Sequence, residues 1–110
     1  MARKPAIPDE IREEVERIVA AFNQKNFQKL NSGYAVRFKG QYLYLDRNEY
    51  HRPSPICRLK FNGQMDNWDF AIYKYSDNGY DPEEWFFPGA GEVDGTIEGA
   101  MKAGILAYPM

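Results

Sequence analysis

Two alternating stretches near the middle of the chain restrict its fold more than any other feature. In residues 56–61, Cys57, Leu59 and Phe61 alternate with Arg58 and Lys60. In residues 68–75, Trp68, Phe70 and Ile72 oppose Asp69, Ala71, Tyr73 and Tyr75. A period of two marks half-buried β-strands, because successive side chains of a strand point to opposite faces. Asn62-Gly63 between them is a hairpin signal, so the two strands are expected side by side and antiparallel. One face of the pair is apolar and the other carries tyrosines and cations.

The flanking segments extend this pattern. Ile7-Pro8-Asp9-Glu10 opens a helix, since proline suits a first turn and acids suit the positive end of the helix dipole. Ile11, Val15, Ile18, Val19 and Phe22 recur at helical spacing, with Phe27 and Leu30 continuing the stripe to Asn31-Ser32-Gly33. Arg12, Glu13, Glu14, Glu16 and Arg17 form the opposite, solvated face. Residues 34–39 and 41–46 read as a hairpin about Gly40, with Val36, Phe38, Leu43 and Leu45 inward and Arg37, Lys39, Tyr42 and Tyr44 outward. Residues 47–55, with Pro53 and Pro55, read as a loop. Ser76-Asp77-Asn78-Gly79 reads as a turn, and Glu84-Trp85-Phe86-Phe87 as a short fifth strand ended by Pro88-Gly89.

A second helix is expected over 94–108, with Asp94 as its N-cap and Ile97, Ala100, Met101, Gly104, Ile105 and Tyr108 along one stripe. Gly99 and Gly104 each cost such a helix roughly 1 kcal/mol relative to alanine, so their use is close approach to the sheet or to the first helix. The consecutive strands and short links predict an α+β fold: an antiparallel meander of four to five strands with an N-terminal and a C-terminal helix, α-β-β-β-β-β-α, in two layers. The stripe alone does not say whether the second helix lies beside the first or over the tyrosines.

Composition fits one domain over 1–110, with residues 1–6 as a flexible tail. A chain of 110 residues buries roughly two-thirds of its unfolded surface and needs no disulfide or metal to stand. The hydrophobic fraction of 44% and aromatic fraction of 15% exclude disorder. The formal net charge of −2 gives no global basic field, so any nucleic-acid binding has to come from a local patch. No apolar run approaches the roughly 18 residues of a membrane span, and Met1-Ala-Arg-Lys-Pro lacks a signal-peptide pattern. A soluble, cytoplasmic protein is expected. Cys57 is the single cysteine and reads as a small buried thiol within a strand.

The motifs that carry chemistry elsewhere fail their tests here. Asp46, Glu49 and His51 bring two carboxylates and an imidazole together in sequence, as a divalent-metal or acid–base site would, but at no established ligand spacing. The run 77–84 resembles a calcium loop, yet counting from Asp77 the sixth position is Pro82 and the twelfth is Pro88, so it reads as an acidic turn. Gly89-Ala90-Gly91 lacks the third glycine, the lysine and the parallel context of a phosphate loop, so it reads as a flexible loop entering the second helix. The lone histidine has no nucleophile partner. No catalytic residue, cofactor or metal is expected.

What remains is the outer sheet face, where Arg37, Lys39, Tyr42, Tyr44, Arg58, Lys60, Tyr73 and Tyr75 point the same way. Tyrosine and arginine are favoured anchors of protein interfaces. Aromatic rings beside cations on an open sheet also make stacking platforms for single-stranded nucleic acid, although Lys39-Gly40-Gln41-Tyr42 only grazes the RNA-platform signature. The first expectation is a non-enzymatic binding or assembly module, a homodimer through this face. Single-stranded nucleic-acid binding on the same face is the alternative, and a metal-dependent enzyme at 46–51 the second alternative.

The run Arg52-Pro53-Ser54-Pro55-Ile56-Cys57-Arg58-Leu59, with Trp68 among alternating apolar residues and then Trp85, resembles small prokaryotic domains of unknown function. In these a Pro-x-x-x-Leu strand precedes a Trp-centred strand and a late Trp. The resemblance covers residues 52–88 and implies a small bacterial or archaeal α+β protein, without an activity to carry over.

Overall fold

The computed structural model describes residues 7–27, 33–49, 52–76, 78–83 and 87–108. The expected tail 1–6, Leu30, His51 and Trp85 lie outside them. In chain order come α1 (Asp9–Asn26), β1 (Gly33–Lys39), β2 (Tyr42–Glu49), β3 (Arg52–Phe61), β4 (Trp68–Lys74), β5 (Gly79–Asp81), a short 3-10 turn (Ala90–Glu92) and α2 (Ile97–Ala107). The strands form one antiparallel sheet in the order β1-β2-β3-β4-β5. The α+β meander between two terminal helices is the architecture read from the sequence.

Helix α1 follows its stripe. Val15, Val19 and Phe22 are buried, Ile11 and Ile18 partly so, and the helix stops at Asn26. Each fully buried aliphatic or aromatic side chain of this kind contributes about 1.5–3 kcal/mol. Phe22 and Phe27 meet Tyr34 of β1 at ring distances of 6.0 Å. The Asn23 amide spans the joint, donating to the Tyr34 carbonyl and accepting from the Tyr34 N–H, each at 2.8 Å.

Helix α2 packs on the same side of the sheet. The buried Tyr34 hydroxyl donates to the Met101 carbonyl at 2.7 Å, and Met101, Ala100 and Ala103 join the core with Leu43, Leu45 and Leu59. Gly104 is what permits this approach: a Cβ there would lie 2.6 Å from Ile56 Cγ2 and against the Tyr34 hydroxyl. With both helices on one face, the fold has two layers and leaves the other sheet face open.

Four expectations need correction. Residues 47–55 are not a loop: β2 runs on to Glu49 and β3 begins at Arg52, with Asn48 opposite Pro53 and Asp46 opposite Pro55. The prolines are tolerated because β4 pairs with β3 only from Cys57 onward, so they stand in a stretch with a partner on one side. A register shift at Leu45/Asp46 leaves Ile56 as an extra, bulged residue, and both Ile56 and Cys57 are buried. The fifth strand of the sheet is Gly79–Asp81; of the strand expected over 84–87, residues 84–86 lie outside the described part, and Phe87 is in a bend and stacks on Phe70 at 5.8 Å. The N-cap of α2 is Thr96, whose hydroxyl accepts from Gly99 N–H at 3.0 Å. Asp94 instead accepts from the Thr96 N–H at 3.1 Å, and the bonds from Thr96 hold its carboxyl below the usual range. Finally, Gly89-Ala90-Gly91 enters a 3-10 turn, not an open loop.

Gly104→Ala should destabilise the protein by about 1–3 kcal/mol through overpacking against Tyr34 and Ile56, despite alanine's better helix propensity. Denaturant unfolding checks this; an unchanged or raised midpoint would show that α2 does not rest on the sheet as described.

Candidate binding surface

Strand register arranges the open face in rows. Lys39, Tyr42, Lys60 and Asp69 stand abreast across β1 to β4, and Arg37, Tyr44, Arg58 and Ala71 form the next row. Behind them come Ala35, Asp46 and Pro55, with Tyr73 and Tyr80 paired across β4 and β5. A column of tyrosine on β2 is thus flanked by a column of cations on β1 and another on β3. Seven of the eight residues expected on this face stand on it. Tyr75 lies one residue beyond β4; it is half-exposed and reaches around the edge, its ring 4.9 Å from Tyr73 and 5.6 Å from Tyr108. The Tyr108 hydroxyl donates to the Tyr73 carbonyl and ties that edge to the end of α2.

The rings and guanidinium groups pack on one another. Arg37 lies 4.8 Å from the Tyr44 ring centre, and Arg58 lies 4.6 Å from Tyr42 and 5.5 Å from Tyr80. Tyr80 meets Tyr44 at 5.4 Å and Tyr73 at 5.1 Å, both edge to face. Aromatic pairs of this geometry add about 0.5–1.5 kcal/mol each beyond area burial, and cation–π contacts about 0.5–1 kcal/mol at exposed sites. The surface is therefore preorganised rather than a set of free side chains.

Tyr80 has no place in the sequence reading, which takes 77–84 as an acidic turn. The available signal was Asn78-Gly79, a hairpin dipeptide that returns the chain antiparallel to β4 and brings Tyr80 opposite Tyr73. Burial raises the Tyr80 hydroxyl pKa, with the Asp46 carboxylate adding to the effect and Arg37 opposing it.

Asp46 stands on this face, and the partner the structure shows for it is Arg37. Its carboxylate is almost buried and accepts from Arg37 Nε at 2.5 Å and Nη2 at 3.1 Å, a bidentate pair that raises the Arg37 pKa. His51 and the Glu49 side chain lie outside the described residues, and among those described no cluster of His, Cys, Asp and Glu could hold a metal ion. Cys57 is fully buried on the helix side, where burial pushes its thiol pKa up, the opposite of what a nucleophile requires. Among the described residues no helix is long and apolar enough to cross a membrane.

Charge is sorted between the two sides of the molecule. Helix α1 carries five acids and three bases, and residues 90–107 carry Glu92, Asp94 and Glu98 against Lys102, so each segment has net −2. On the open sheet face, Arg37, Lys39, Arg58 and Lys60 outnumber Asp46 and Asp69, a net of +2. A cleft of about 410 Å³ between α1 and α2, lined in part by Lys25, Glu92, Glu98 and Lys102, balances its charges. No family model, curated protein or solved structure matches this chain.

Buried Cys57 and Tyr34 and half-buried Tyr80 and Tyr108 all hold their protons more tightly than in an unfolded chain. The folded state then binds more protons than the unfolded one as pH rises past the ordinary values of 9.0 for cysteine and 10.0 for tyrosine. Stability should be fully present below that window and fall through it. Denaturant midpoints measured from neutral to strongly alkaline pH test this, and a midpoint that stays flat would contradict the burial of these groups.

Proposed function

We propose that this protein is a non-enzymatic binding module that takes single-stranded nucleic acid on the open sheet face. The observation that carries this reading is the layout of Lys39-Tyr42-Lys60 and Arg37-Tyr44-Arg58, cation, ring and cation abreast in two successive rows. Phosphates pair with the cation columns, and splayed bases stack on tyrosine rings and on the guanidinium planes of the face. Stacking on such platforms is worth about 1–3 kcal/mol per base and tolerates any sequence.

Charge separates this reading from the homodimer. Two copies meeting through the same face would bring two surfaces of net positive charge together, a like-charge arrangement that opposes association. A polyanion meets a face of net positive charge there, while the acidic helical layer turns it away from the far side. The likeness of residues 52–88 to prokaryotic domains of unknown function adds no ligand to this reading.

Lys39, Arg58 and Lys60 make no ion pair among the described residues. Three such cations predict a log–log salt slope of about −2 for a single strand, at roughly −0.7 per neutralised phosphate. Fluorescence anisotropy with a labelled oligothymidine at low salt should show binding that weakens and loses about 0.7 of that slope on Arg58→Ala. Tyr44→Ala should weaken binding without changing the slope. Absence of binding at low salt, or indifference to both substitutions, would overturn the reading. A dimer broken by Tyr44→Glu in light scattering, without oligonucleotide binding, would assign the face to self-association instead.

A further inference from the structure

The two arginines of the open face stand in the same row on either side of Tyr44, yet their surroundings differ. Arg58 rests on the Tyr42 and Tyr80 rings and faces no carboxylate within ion-pair distance among the described residues. Arg37 is turned toward Asp46, which takes two of its five N–H donors in the fork geometry that a phosphate would also use. The Asp46 side chain is only 8% exposed, whereas that of Arg37 is 56% exposed. The carboxylate thus sits in the floor of the face beside Ala35 and Pro55, and the cation lies above it.

We infer that Asp46 is a built-in counter-ion that occupies Arg37, withholds it from an incoming phosphate and so limits the affinity of the face for polyanions. The inference rests on the nucleic-acid reading of that face. A phosphate that takes the Nε/Nη2 edge of Arg37 has to displace a carboxylate already held at 2.5 Å and leave it nearly buried and unpaired, and one that takes the other edge meets a cation already neutralised, whereas a phosphate reaching Arg58 displaces nothing charged. In the native chain the phosphates therefore settle on Arg58, Lys60 and Lys39. Removing the carboxylate would add Arg37 to them.

Asp46→Asn keeps the side chain's shape, and Asp46→Ser removes the charge with less bulk should the amide disturb folding. Either variant, confirmed folded by circular dichroism, should bind oligothymidine several-fold more tightly than the native protein, with a salt slope steeper by about 0.7. Arg37→Ala should cost more affinity in the Asp46→Asn background than in the native one, a coupling that a general change of surface charge would not produce. Equal or weaker binding by both Asp46 variants, with Arg58→Ala still weakening the native protein, overturns this inference and leaves the nucleic-acid reading standing. Failure of native and variant proteins alike to bind at low salt overturns both.

Discussion

The hydrogen bond from the buried Tyr34 hydroxyl to the Met101 carbonyl, made where Gly104 lets α2 approach the sheet, is the contact on which the rest of the molecule depends. It joins the first strand to the last helix across 67 residues of sequence and holds α2 next to α1. Both helices then cover the same side of the sheet, and Leu43, Leu45, Cys57, Leu59 and Ile72 are sealed beneath them. A bulkier residue at 104 would lift the helix from that side. The open, cation-rich face exists because this contact is made on the other one.

That asymmetry converts a weakly anionic chain into a polarised molecule. The acids of α1 and of the approach to α2 lie with the helical layer, and Arg37, Lys39, Arg58 and Lys60 lie with the tyrosines. Net charge therefore says little about partners here. Strand register does the sorting, because residues two apart share a face and neighbouring strands bring their like-facing residues abreast. The rings also keep the arginines from lying freely in solvent, which lowers the ordering cost of any partner that uses them.

Much of this was legible in the residues. The alternation in 56–61 and 68–75 and the helical spacing from Ile11 to Phe22 are strong periodic signals, and the elements they name are present. Pro53 and Pro55 misled because proline usually interrupts a sheet, and nothing local reveals that β4 leaves that stretch of β3 unpaired on one side. Asp46 shows the same limit: its pairing with Arg37 on the neighbouring strand is visible only once the β1-β2 register is known, whereas its neighbours in sequence, Glu49 and His51, suggest a ligand set. Tyr80 was hidden because a three-residue strand is too short to show a period, although Asn78-Gly79 marked the turn before it.

The proposed working surface is the open sheet face and not the cleft between the helices. Chemical-shift mapping of the isotope-labelled protein during titration with a single-stranded oligonucleotide at low salt tests it residue by residue. Perturbations should concentrate on Tyr42, Tyr44, Arg58, Lys60 and Tyr80, with α1 and α2 silent. Shifts confined to Lys25, Glu98, Lys102 and Leu106 along the cleft, or no shifts anywhere, would contradict it.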